Sequence, residues 1–153
     1  MALENVTVGA VAAAVNAKLF GNSDNFVTDV THDSRQAGAG SLFVAVRGLT
    51  IDGHKFIDDV MRRGAVGVIS ESEAPPNFSG AWLQVAEART ALAQAAAVIN
   101  GNPSHQLKLV GITGTNGKTT TTYLVYALAE ANGEKSAMLT TVEYRIGDKS
   151  EPA

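Results

Sequence analysis

The stretch GITGTNGKTTTT, residues 111–122, constrains this chain more than any other. Three glycines, one lysine and a file of threonines sit between an apolar run, LKLVGI (107–112), and a helix-like run that begins at Lys118. A strand that feeds a tight loop at a helix start gathers backbone N–H groups where the helix carries a partial positive charge. Glycine at 114 and 117 permits positive φ and lets an anion's oxygens approach the backbone. Lys118 supplies the only cation of the loop, suited to β- and γ-phosphates, and the Thr119 hydroxyl is suited to ligate Mg²⁺ beside them. The bland alternative is an ordinary glycine-rich turn capped by threonines. Strand before, helix after and Gly-Lys-Thr at the junction favour the phosphate cradle. The strict G-x-x-x-x-G-K-[ST] pattern is not met, because the fifth residue before Gly117 is Ile112 and Gly111 comes one place too early.

The rest of the chain offers an anion no general attraction. The net charge is −3 and the isoelectric point about 5.5, which argues against a nucleic-acid or membrane-surface binder. With 45% hydrophobic and 18% charged residues, the 153-residue chain can bury a core as one ordinary domain or two small ones. Cysteine is absent, which excludes thiolate metal sites and disulfides. No basic segment followed by an apolar one opens the sequence, and no apolar run reaches membrane-spanning length. The expectation is a soluble cytoplasmic protein that binds neither nucleic acid nor membrane.

Periodicity predicts alternating strands and helices, hence an α/β fold. A helix is expected from Val8 to Leu19, a strand in FVTDVTHDSR, and strands at 41–46, 66–70 and 81–85. Helices are expected at 54–65, with Phe56, Ile57 and Val60 inward, and at 87–100, ending at Gly101. After the polar connector 101–106 come a strand (107–112), a helix (118–132) closed by Gly133, and a strand (135–140). Residues 1–100 therefore form a small α/β domain, 101–106 a linker, and 107–153 the start of a parallel-sheet ATP-binding domain. That second part contains one strand–helix–strand unit and reads as cut short.

The spacing G-x-x-G-x-x-G-K-[TS] of Gly111, Gly114, Gly117, Lys118 and Thr119 closely resembles the ATP loop of the Mur ligases. Upstream, THDSRQAGAGSLFVAVRGLTIDGHKFIDDVMRRGAVGVISE is similar to that family's N-terminal nucleotide-sugar domain. The threonine run and TTVEYRIGDKSEPA lean towards the branch that adds the third amino acid, diaminopimelate or lysine, in peptidoglycan synthesis. The resemblance implies an ATP-dependent ligase that phosphorylates the carboxylate of a UDP-N-acetylmuramoyl-dipeptide, after which the amine of an amino acid attacks the acyl phosphate and releases phosphate. It implies ATP contacts from Gly114, Thr115, Asn116, Gly117, Lys118, Thr119 and Thr120, with Lys118 and Thr119 catalytic and Thr119 on Mg²⁺. It implies UDP-sugar contacts from His32, Ser34, Leu49, Thr50 and Ile51, although His32 stands where the family often has an apolar residue. The same resemblance makes the enzyme a monomer, and the chain by itself is expected not to catalyse.

Two rivals remain at this stage: a ligase of the branch adding D-alanyl-D-alanine, and a stand-alone P-loop nucleotide-binding module. The module would leave HDSR (32–35) without a purpose. Other polar residues have plainer readings. Asp33 and Arg35 brace a turn. Asp58 and Asp59 point different ways on a helix. His54 and His105 lack metal-ligand spacing, Arg62 and Arg63 form a solvated helix end, and Trp82 belongs to the core.

Overall fold

The structure, a computed structural model, describes residues 6–48 and 51–153. It divides into two compact units, Met1–Leu107 and Lys108–Ala153.

The first unit opens with helix α1 (Val8–Ala14), capped by the Thr7 hydroxyl, which accepts from the Ala10 amide at 3.2 Å. The expected helix to Leu19 is wrong. Asn16 turns left-handed (φ 52°), and the Asn16 and Ala17 amides close back onto the Ala13 and Ala12 carbonyls. This is a Schellman stop with asparagine where glycine is commoner. Leu19 instead lies in strand β1 (Lys18–Phe20).

Strands β2 (Asp29–Thr31), β3 (Ser41–Val44), β4 (Gly67–Ser70) and β5 (Ala81–Gln84) then run parallel in sheet order β1-β5-β4-β3-β2, with β1 antiparallel at the edge. Helical segments lie between β3 and β4 and after β5, while β4 and β5 are joined by the loop 71–80. A 3₁₀ turn (Gly53–Phe56) runs into α2 (Ile57–Arg62), and α3 (Ala88–Ile99) follows β5. Helix α3 ends where glycine predicts it, with Gly101 at φ 72°.

Strand alternation divides the core between the two faces of the sheet. Leu42, Val44, Ile69 and Leu83 pack with Val8 and Val11 of α1 and Ala91 and Ala95 of α3. Phe43, Val68 and Trp82 pack with Ile57 and Val60 of α2. Both faces are covered, as a parallel sheet requires. Gly67 allows β4 to lie close to β5, since a Cβ there would sit 2.4 Å from the Ala81 carbonyl oxygen.

In the second unit, helix α4 (Lys118–Ala131) forms as expected and closes at Gly133 (φ 78°). The strand expected at 107–112 does not: no described strand pairs with these residues, and Leu107, Leu109 and Val110 are exposed. A strand exists by hydrogen bonding to a neighbour, and apolar periodicity alone cannot supply one. After α4, β6 (Ala137–Leu139), β7 (Glu143–Ile146) and β8 (Lys149–Pro152) form an antiparallel meander in place of the single strand expected. The α/β class holds for the chain, with its parallel sheet in the first unit.

Candidate functional site

Two loop systems, one in each unit, contain the residues singled out by the sequence. In the second unit, Gly114 and Gly117 take φ values of 150° and 77°, and Gly117 caps α4 in the left-handed region. A Cβ at Gly117 would meet nothing within 4 Å, so glycine is needed there for its backbone conformation, not for room. Gly111 has neither positive φ nor a close neighbour; its place in the spacing has no structural counterpart here.

The Lys118 ammonium, at the first position of α4, donates to the Gly114 carbonyl at 2.6 Å. The side chain thus folds back over the glycine loop and is otherwise exposed. Helix α4 starts with the Thr121 amide on the Gly117 carbonyl at 2.8 Å, so the amides before it have no helical acceptor. Thr119 is half-buried, and Thr115, Asn116 and Thr120 are exposed. A backbone turn at a helix start with one ammonium folded across it fits a phosphate chain in its donor set. Among the described residues no group of three or more His, Asp or Glu side chains could hold a metal ion.

The α4 end of the loop is fastened from β7. The Tyr123 hydroxyl donates to the Glu143 carboxylate, and Arg145 donates to the same oxygen at 2.9 Å. Hydrogen bonds from Ser150 first, then Tyr123, hold the Glu143 carboxyl below its ordinary range. The same bond to Glu143 raises the Tyr123 phenol. The sequence reading passed over this cluster, because its members are 20 residues apart and no motif links them.

In the first unit, the carboxyl ends of β2, β3 and β4 share one sheet edge, where open parallel sheets bind ligands. His32 and Ser34 follow β2, and Ile51 follows β3. His32 and Ile51 are exposed and Ser34 is half-buried; Leu49 and Thr50 lie outside the described residues.

Asp33 and Arg35 brace this turn. The carboxylate accepts from the Arg35 amide at 2.9 Å and from its guanidinium at 2.6 Å. The guanidinium, then the amide, pull the Asp33 carboxyl down from its ordinary 3.8 to about 2. A depressed carboxyl contributes stability above its unfolded pKa and loses it as pH falls through the folded one. The turn should therefore stay closed at pH 4 and open as pH approaches 2. A carbon-detected NMR titration of Asp33 checks this; a midpoint near 3.8 would show that the pair does not persist in solution.

Two plain readings are incomplete. Arg63 is exposed at the end of α2, as expected, but its guanidinium also donates to the Ser34 carbonyl and reaches the Arg35 carbonyl at 3.5 Å, while pairing with Asp59 at 2.9 Å. It ties the end of α2 to the turn that carries Ser34. His54 is not idle either. Its Nδ1 lies 2.6 Å from Asp52 Oδ1, and its Nε2 lies 2.8 Å from the hydroxyl of Ser70. The Asp-x-His spacing, an aspartate capping a short helix, was the available signal. The connectivity is that of an acyl-transfer triad, but Ser70 is 0% exposed, so no substrate carbonyl can reach it.

The comparisons with known proteins meet this geometry. The Mur ligase family, catalytic domain, matches residues 26–100, and the Mur ligase middle domain matches residues 112–153. The chain is 48% identical over 123 residues to the UDP-N-acetylmuramoyl-L-alanyl-D-glutamate–2,6-diaminopimelate ligase of Solibacter usitatus, covering 80% of this chain and 25% of that protein. It is 45% identical over 127 residues to the UDP-N-acetylmuramyl-tripeptide synthetase of Deinococcus radiodurans, covering 82% and 26%. The chain thus spans about a quarter of the length of these curated relatives. Among solved structures, MurF from Acinetobacter baumannii superposes with a TM-score of 0.63 at 29% identity, over 86% of this chain and 29% of that one. With two successive domains of one family matched in order along it, this chain belongs to the Mur ligase family.

Proposed function

We propose that the chain carries the nucleotide-sugar and phosphate-binding portions of a cytoplasmic ATP-dependent ligase. That ligase adds the third amino acid, diaminopimelate or lysine, to UDP-N-acetylmuramoyl-L-alanyl-D-glutamate in peptidoglycan synthesis. The observation that carries the reading is the loop before α4, with two positive-φ glycines and the Lys118 ammonium folded across it onto Gly114. Gly114, Thr115, Asn116, Gly117, Lys118, Thr119 and Thr120 are assigned to ATP. Within that set Lys118 neutralises charge on the transferring phosphate, and the Thr119 hydroxyl is assigned to Mg²⁺. ATP bound there would supply the phosphoryl group that activates the substrate carboxylate.

His32, Ser34, Leu49, Thr50 and Ile51 are assigned to the UDP-sugar. The β2 and β3 carboxyl ends support this for the residues that are described. The named sequence relatives favour the third-residue branch, with 48% identity to a diaminopimelate-adding ligase and 45% to a tripeptide synthetase.

Calorimetric titration of ATP and UDP, each alone and then together, tests the assignment. Two independent sites are expected, and Ser34→Ala should weaken UDP by about 0.5–1.5 kcal/mol, roughly two- to tenfold, with ATP unchanged. Competition between the two ligands, or equal weakening of both by Ser34→Ala, would refute it.

A further inference from the structure

After β3, residues 46–48 lie against residues 51–53. The Gly48 amide donates to the Ile51 carbonyl at 2.9 Å, the Gly53 amide donates to the Val46 carbonyl at 3.0 Å, and Arg47 and Asp52 form an isolated antiparallel bridge. Both glycines are closely approached. A Cβ on Gly48 would lie 2.8 Å from the Ile51 carbonyl oxygen, and one on Gly53 2.9 Å from that of Val46.

This pairing hangs on one chain of hydrogen bonds leading into the sheet. Asp52 Oδ1 accepts from the His54 amide at 3.0 Å as well as facing Nδ1. A carboxylate can only accept, so His54 Nδ1 carries the proton and Nε2 is left as the acceptor. The Ser70 hydroxyl then donates to Nε2, and the Ser70 oxygen in turn accepts from the Ser72 amide at 3.0 Å. The Ser72 hydroxyl also approaches Nε2, at 3.5 Å, and the chain ends on Ser70, a fully buried residue of β4. Losing the middle member would leave Asp52 facing solvent and a buried hydroxyl without its acceptor.

We propose that His54 is a positioning residue that clamps this pairing, residues 46–48 against 51–53, to the end of β4 and so presents Ile51 at the carboxyl edge of the sheet. The hydrogen bonds carry the clamp itself; what the pairing presents Ile51 to rests on the UDP-sugar reading above. His54 touches no reacting atom, and its effect passes through Asp52 and the pairing. Asp52 is held below its ordinary range, first by the His54 amide and then by the imidazole, as a carboxylate fixed in this chain should be.

Two variants break the chain at different links: His54→Phe keeps a ring of similar bulk without its nitrogens, and Ser70→Ala removes the anchor in β4. Amide exchange of Gly48 and Gly53 reports opening of the pairing, and UDP titration reports its consequence. In both variants exchange at those two amides should rise about tenfold and UDP affinity fall about tenfold, the scale of one or two lost hydrogen bonds, with ATP affinity unchanged. A structural role alone would lower melting temperature without singling out UDP. Unchanged exchange at Gly48 and Gly53 overturns the clamp. Faster exchange with unchanged UDP affinity overturns the positioning role. If the unaltered protein binds no UDP, the nucleotide-sugar reading falls, and the exchange result alone decides the clamp.

Discussion

If the proposed function holds, Lys118→Ala in the full-length protein is expected to lower kcat/KM by about 30- to 5,000-fold, the range that corresponds to losing about 2–5 kcal/mol from a desolvated charge contact. The folded protein should survive the change. The ammonium is exposed and its one hydrogen bond, to the Gly114 carbonyl, holds no core element in place. Without ligand that bond occupies the cation; a triphosphate would offer it anionic oxygens, adding the attraction of opposite charges that a neutral carbonyl lacks. The expected pattern is therefore lost ATP affinity and turnover with an unchanged melting temperature and unchanged UDP binding. Steady-state kinetics of the full-length protein and titration of both ligands check it. Near-normal turnover would show that the loop before α4 does not hold the reacting phosphates.

Trp82→Ala should act in the opposite way, on the fold and not on the loop. Trp82 is 2% exposed, lies edge-to-face with Phe78 at 5.0 Å between ring centroids, and donates its indole N–H to the Ser72 carbonyl at 3.0 Å. Truncation opens a cavity on the α2 face of the sheet and leaves the carbonyl of half-buried Ser72 without its donor. A cost of about 3–5 kcal/mol is expected, mostly from the cavity and lost transfer energy. Denaturant unfolding followed by a probe in the first unit measures it, and a loss below about 1 kcal/mol would mean that this face is not packed as described. Because Ser72 adjoins the Ser70 anchor of the His54 clamp, some loss of UDP affinity should accompany the destabilisation.

The parts of this protein legible in the sequence are those governed by neighbours along the chain. The loop before α4 could be read because glycine conformation, a lysine and a helix start all fall within residues 111–122. Helices α3 and α4 ended where Gly101 and Gly133 said they would, whereas α1 ended early because Asn16 took the left-handed role that glycine usually fills. The Asp33–Arg35 brace, two residues apart, was equally readable.

What needed the tertiary structure depends on residues far apart in sequence. The run 107–112 has the composition of a strand, yet strand formation is a property of a pair, and no described strand lies beside it. The antiparallel edge strand β1 exists because β5, over sixty residues later, offers it a ladder from Lys18↔Gln84 to Phe20↔Trp82. Arg63 reaches back 29 residues to the Ser34 carbonyl, and His54 reaches 16 residues forward to Ser70. Composition and local pattern set the α/β class and the proposed phosphate-binding loop, because those follow from backbone conformation and charge within a few residues. The roles of Arg63 and His54 followed only from the folded sheet, because a hydrogen bond between distant residues is decided by where packing brings them.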